Sequence, residues 1–277
     1  MLRSRGHQVC IWLAAASVTV ASLVLYAASV WFGNLNQDEG WYLYAARAVA
    51  DGRLPYRDFF FTQGPVMPYL YGVFAPFWSP HGVLGGRIFT AVLGLLSGVL
   101  AAGLARRAVP SPRAAEAGLI AFALTACNLY HVYFTTIPKT YALASCLLLG
   151  GFLVLTLSLS RRRKTRSHLS CMWALPAGML VAFAAGVRLS LGAMLPVTVL
   201  ALLISYRKTG AAFFWFALGG AWVWRWRSAP PCWRRPKFSC SVSHSMWRAA
   251  VVIPSLWPVR WHVWCRPICL RYCCWLL

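Results

Sequence analysis

Acidic residues are scarce in this chain. Its 277 residues include five Asp and Glu against 27 Lys and Arg, a formal net charge of +22. Charged residues of both signs make up 12% of it, where a soluble domain carries about 25%. That shortage argues against an ordinary soluble globular domain. Also missing is any Asp or Glu in the middle of a long apolar run, Glu116 lying at the edge of one. Secondary transporters place ionisable groups near the bilayer midplane, so this absence counts against transport through the middle of a bundle. The ten cysteines contain no C-x-x-C pair with zinc-type spacing, which removes the usual structural zinc site. No internal inverted repeat is visible.

Apolar sequence is abundant instead. Hydrophobic residues make up 60% of the chain, and the mean hydropathy is +0.60. A membrane-spanning helix needs roughly 20 apolar residues. Six stretches qualify, near 9–32, 84–105, 115–134, 140–159, 171–187 and 190–205, and a seventh begins near 211. The first is longer than a signal-peptide core and is followed by more apolar runs, so it reads as a retained helix. The expected fold is an all-α polytopic membrane protein with about six to seven transmembrane helices.

The excess positive charge has an ordered placement. Basic residues sit at Arg3 and Arg5, at Arg106, Arg107 and Arg113, in "RRRKTR" (161–166), and at Arg207 and Lys208. These are the N-terminus and every second loop, the pattern of cytoplasmic loops. Topology therefore accounts for the charge, and nucleic acid is not an expected partner. Residues 33–83 then face outside, with short outer turns around 135–139 and Arg188. The expected location is a bacterial plasma membrane, crossed several times.

The composition changes near residue 221. Residues 221–277 hold nine of the 15 Trp and six of the 10 Cys, and no Gly, Asn, Gln, Thr, Asp or Glu. A Leu/Ala/Val-rich membrane sequence from a GC-rich gene, read one base late, yields Trp, Cys, Arg and Pro in this way. Residues 1–220 are thus expected to be one transmembrane domain and 221–277 a frameshifted tail. Cys265, Cys269 and Cys273 recur near His262, but not at metal-site spacing. A basic, Trp-rich interfacial segment is the other reading of this tail.

Four of the five acids, Asp38, Glu39, Asp51 and Asp58, lie in the outer loop 33–83. "DEGWYLYAARAVADG" reads as a short helix with Asp38 as its cap and Gly52 just past its end. Tyr42, Ala45, Ala46 and Val49 form one apolar face, and Trp41 and Tyr44 suit the water–lipid boundary. "PVMPYLYGVFAPFW" (65–78) is aromatic, proline-broken and too short to span, so it is expected to be a second interfacial element. Glu116 is expected to start a helix or pair locally with Arg113.

A carboxylate pair at that boundary suits two chemistries. It can take a proton from an attacking hydroxyl or amine, or it can help hold a divalent metal against a phosphate. Arg87, Lys139 and Arg188 all fall near the same face and can counter an anionic lipid, although snorkelling accounts for such residues as well.

An apolar span, an outward Asp38-Glu39, a small-residue helix ending at Gly52, "LPYRDF" and a Pro-led aromatic stretch resemble the GT-C membrane glycosyltransferases. The likeness is to the rhizobial galacturonosyltransferase-like group, with protein O-mannosyltransferases and aminoarabinose transferases more distant. It covers about residues 9–220 in hydropathy, and its specific part is 38–87. The resemblance implies transfer of a sugar, with inversion, from a polyprenyl-phosphate-linked donor to a lipid, glycan or protein acceptor outside the cytoplasm. It implies catalytic roles for Asp38 and Glu39, and substrate-binding roles for Tyr42, Tyr56, Asp58, Arg87 and Arg188. Gly52, Pro55, Tyr56, Asp58 and Pro65 match the loop's framework. A divalent metal is left open as cofactor. The short outer loop "TTIPKTYALA" carries Lys139 where many relatives carry another acid. The family pattern ends near Gly220, so the chain is expected to lack later spans and to be inactive if truncated. A transporter or flippase-like protein and a non-catalytic remnant remain alternatives.

Overall fold

A computed structural model of the chain describes residues 2–165, 169–205 and 211–228. The chain divides into a unit Met1–Pro231 and a unit Cys232–Leu277. The second unit lies outside the described residues, as do the Cys265, Cys269, Cys273 and His262 cluster and nearly all of the expected tail.

Among the described residues there is no strand, only helices and their connections. Helix α1 (Leu2–Phe32) leads through a four-residue link to α2 (Gln37–Ala50). After the connection at 51–65 come α3 (Val66–Val73) and α4 (Ala75–Trp78), then α5 (Gly82–Ala108). Helices α6 (Ala114–Ala126) and α7 (Leu129–Thr136) precede α8 (Thr140–Thr165). The rest are α9 (Leu169–Met172), α10 (Ala174–Val187), α11 (Met194–Ile204) and α12 (Ala212–Ser228).

Three of the helical stretches, Gly6–Phe32, Ala75–Ala108 and Thr140–Arg161, are long and apolar enough to cross a membrane. A fourth candidate is the pair Ser111–Ala126 and Leu129–Thr136, bent by 61°. The remaining apolar helices, Ala174–Val187, Leu189–Ile204 and Ala212–Val223, are shorter. At 1.5 Å per residue, the 14-residue α10 covers about 21 Å of a hydrocarbon core about 30 Å thick. This is an all-α, membrane-embedded architecture. The exposed Trp12, Leu13, Val20, Leu23 and Val24 of α1 fit it, because lipid rather than water meets such a face.

The bend between α6 and α7 has a local cause. Asn128 recaps the chain: its side chain accepts the N–H of His131 at 3.1 Å. Helix α7 is then tied to its neighbours by polar pairs, Tyr26 to Thr135 at 3.0 Å, Ser29 to Thr136 at 2.7 Å and Ser97 to His131 at 3.1 Å. In hydrocarbon such interhelical bonds are worth about 0.6 kcal/mol each. Helices α10 and α12 approach more closely. A Cβ at Gly178 would run into the backbone of Phe216, and one at Gly219 into that of Leu175, so small residues set this contact.

The segment 33–83 packs on the bundle end rather than standing off it. Ala45, Ala46 and Ala48 of α2 are fully buried, and α3 lies across them with Gly72 beside the carbonyl of Ala46. Tyr71 at the centre of α3 is wholly enclosed; its hydroxyl meets Thr90 at 3.3 Å, and its carbonyl accepts Trp78 Nε1 at 2.8 Å. The expected interfacial element at 65–78 is thus two short helices. The second continues through a 3-10 turn into α5.

One local expectation is corrected and another is borne out in part. The cap of α2 is Asn36, not Asp38: its side chain accepts the N–H of Asp38 at 3.0 Å, and Glu39 returns to the Asn36 N–H at 2.9 Å, closing a capping box. Glu116 sits in the first turn of α6 but approaches His7, with Nε2 3.0 Å from its Oε1, rather than Arg113. Gly52, at φ 84, ends α2 in the left-handed conformation that glycine tolerates.

Candidate functional site

The two adjacent acids of the 33–83 segment part company. Glu39 occupies the third position of α2 and points inward, 1% exposed, while Arg87 on α5 is 6% exposed. Arg87 Nε donates to Glu39 Oε2 at 2.7 Å and Nη2 to Oε1 at 2.7 Å. Its other N–H groups donate to the carbonyls of Val30, Gly33 and Asn34 at 3.2, 2.8 and 2.9 Å. A guanidinium has five donors, and these bonds use all five. Arg87 therefore has nothing left for a phosphate, and both Glu39 oxygens are engaged, Oε1 by Asn36 N–H and Arg87 and Oε2 by Arg87. The pair fastens the end of α1, the start of α2 and the start of α5 together. Its geometry is architectural, which departs from the substrate-binding and catalytic roles expected of Arg87 and Glu39.

Asp38 points the other way. With Asn36 doing the capping, its side chain is 53% exposed and forms an ion pair with Lys139, which is 16% exposed. Around the pair lies a cavity of about 340 Å³. Its walls are Asp38 and Tyr42 from α2, Thr62 and Gln63 from the connection, Lys139, Thr140 and Tyr141 at the start of α8, and Arg188 at the end of α10. Nearly every lining side chain carries a polar group. Two cations face one carboxylate, so the cavity is net positive at neutral pH.

Each wall residue is held in place by its own segment. The 62–65 stretch is pressed against α10, since a Cβ on Gly64 would overlap the carbonyl of Gly186. Tyr56, at φ 67 in the turn before it, donates its hydroxyl to the Gln63 carbonyl and steadies this wall from outside the cavity. Lys139 is fixed by a tight turn, its N–H donating to the Ile137 carbonyl at 2.7 Å. Arg188 stacks over the Tyr141 ring at 4.6 Å and donates from Nε to Ser190 Oγ at 3.3 Å. The Tyr141 ring meets Phe134 at 5.0 Å, and Phe134 meets Tyr133 at 5.2 Å, a chain of ring contacts from the start of α8 to the end of α7. Burial pushes the Tyr42 phenol above its ordinary value, with the Asp38 charge adding to the effect, so it stays a hydrogen-bond donor at neutral pH.

Asp58 is not in the cavity. It organises the turn: Oδ2 accepts the Leu54 N–H at 2.8 Å, and Arg57 Nε meets Oδ1 at 2.8 Å. The Arg57 bond, with the Leu54 N–H next, holds this carboxyl below the usual range.

No protein-family model, curated protein or solved structure matches the chain. The site must therefore be read from its own geometry.

Of the expected site residues, the cavity gathers Asp38, Tyr42 and Arg188, together with Lys139. Glu39, Arg87, Tyr56 and Asp58 frame it or lie elsewhere. Thr62, Gln63, Thr140 and Tyr141 were not expected. Their one signal was position, since "TQG" lies in the segment that carries Asp38 and "KTY" begins at Lys139. The donor set does not fit a divalent cation held by the protein. Among the described residues no three metal-ligating side chains cluster, and the lone carboxylate in the cavity is already paired with an ammonium. The same set fits an anion with several acceptor oxygens.

Proposed function

We propose that the protein transfers a sugar from a polyprenyl-phosphate-linked donor to an acceptor at the non-cytoplasmic face of a membrane, as a GT-C-like glycosyltransferase. The observation that carries the reading is the convergence of Asp38, Lys139 and Arg188 in one polar cavity at the end of an apolar bundle. In this reading the three shorter apolar helices also cross the bilayer, giving six to seven spans. Residues 33–83 face outside, in keeping with basic residues in every second loop.

The chemistry follows from the charges. Lys139 and Arg188 receive the donor's phosphate, Arg188 with a planar face already set by Tyr141. The isoprenoid chain runs along the Tyr141, Phe134 and Tyr133 rings into lipid. An acceptor hydroxyl or amine gives its proton to Asp38 as its oxygen or nitrogen bonds to the anomeric carbon. The bond from that carbon to the phosphate oxygen breaks, and polyprenyl phosphate leaves with the electron pair, its charge met by the two cations. Attack opposite the leaving group inverts the anomeric centre.

The test is a transfer assay with the full chain in lipid nanodiscs, labelled polyprenyl-phosphate sugars and a membrane acceptor fraction. Labelled acceptor whose formation needs Lys139 and Arg188 supports the reading. Donor that binds and appears in the opposite leaflet, with no transfer, favours a flippase-like protein instead.

A further inference from the structure

The Asp38–Lys139 ion pair has a consequence for the order of events, which rests on the proposed transfer reaction. While Lys139 donates to Asp38, the carboxylate that should take the acceptor's proton is occupied, and so is one of the two cations that should take the phosphate.

Neither partner is needed to hold its own segment. The start of α2 is fixed by Asn36 and by Glu39 on Arg87, and Asp38 adds no cap. The Lys139 backbone is fixed by the buried Ile137 and Pro138 and by the 26-residue α8 that begins at Thr140. Only the side chains are free to trade partners, and the Lys139 ammonium sits at the tip of a four-carbon stem. Arg188 has its own supports, the Tyr141 ring and Ser190 Oγ. It supplies a cation that no carboxylate in the cavity matches.

We infer that Asp38 and Lys139 form a latch that the donor's phosphate opens. The phosphate settles on Arg188, takes Lys139 from Asp38, and so frees Asp38 to act as base only when donor is in place. The donor therefore binds before the acceptor becomes reactive, and the base competes with the donor for Lys139. Competition makes an uncommon prediction: removing the carboxylate that drives the reaction should tighten donor binding.

The experiment is a double-mutant cycle on polyprenyl phosphate binding by the full chain in nanodiscs, with neutral polyprenol as control. Partly exposed ion pairs of this kind set the scale, so Asp38→Asn should bind the phosphate lipid about two- to fivefold more tightly than the native chain. Lys139→Gln should bind it more weakly, and adding Asp38→Asn to Lys139→Gln should change nothing further. Asp38→Ser serves as a second variant should Asn disturb the helix start. Equal or weaker binding by both Asp38 variants overturns the latch. So does an equal gain with and without Lys139, which would report only the bulk field of the cavity. A native chain that does not distinguish polyprenyl phosphate from polyprenol overturns the latch and the proposed function together. Clear phosphate binding that Asp38 does not influence overturns the latch alone.

Discussion

Replacing Glu39 by Gln changes one atom and should cost a large part of the fold's stability. The reason lies in how each oxygen is used. Oε1 accepts from Asn36 N–H and Arg87 Nη2, and Oε2 accepts from Arg87 Nε. The Gln oxygen can take only one of those places. If it keeps the Oε1 position, its NH₂ faces the Arg87 Nε–H, donor against donor. One charge-assisted bond, worth about 1.5–3 kcal/mol, is lost. The guanidinium then stays buried without its counter-charge, and removing one partner of such a pair costs about 3–5 kcal/mol in all. Arg87→Gln should cost a similar amount, because it strands the carboxylate and the carbonyls of Val30, Gly33 and Asn34. Glu39→Leu with Arg87→Met should cost less than the two single losses added together. The assay is the thermal midpoint of detergent-solubilised protein, ranked against Asp51→Asn at the exposed end of α2. A Glu39→Gln protein that melts with the native chain would refute the architectural role.

Other outcomes follow from the same geometry. Arg188→Lys keeps the charge but loses the planar stack on Tyr141, so it should weaken polyprenyl phosphate binding several-fold with little change in melting. Cysteine at position 58, in a background without native thiols, should react with an impermeant reagent from outside the cell, and cysteine at 165 should not; the reverse pattern would put the cavity on the wrong side. The folded pKa of Asp58 is depressed, so its contribution is present above the ordinary carboxylate range and is lost as pH falls through the depressed value. Proteolysis of the 54–58 turn should therefore rise as pH falls below the ordinary carboxylate range, and Asp58→Asn should remove that pH dependence while sparing transfer.

Much of this was legible in the sequence because hydropathy and charge placement act over whole segments. Three of the long apolar stretches became single long helices and the one at 115–134 a bent pair, and the turns at 38, 139 and 188 meet in one cavity. What was not legible depends on direction within a single turn. Asp38 and Glu39 are neighbours in the chain, yet 100° of helical rotation sends one into the cavity and the other into the core. The sequence "NLNQDEG" contains a capping box from Asn36 to Glu39, which places Glu39 on the Asn36 N–H, while its burial against Arg87 has no local signal. Arg87 looked like a ligand for phosphate because it sits at the head of a span. Only the three backbone carbonyls that converge on it, from residues 53 to 57 positions away, give it a structural role. The line between spanning and shorter helices was also beyond hydropathy alone, since α10 is as apolar as the long spans but ends at Arg188 after 14 residues.

The central claim is that Asp38 acts on substrate and not on the fold, and Asp38→Asn tests it most directly. Asn36 caps α2, so Asp38 contributes to stability only through the helix dipole, about 0.3–1 kcal/mol, and through a partly exposed ion pair of about the same size. At matched protein levels the substitution should leave melting nearly unchanged and lower sugar transfer about 10²–10⁴-fold, the usual contribution of positioned acid–base catalysis, while Asp51→Asn stays close to native. Near-native transfer by Asp38→Asn would contradict the account and leave the carboxylate as a solvated partner of Lys139.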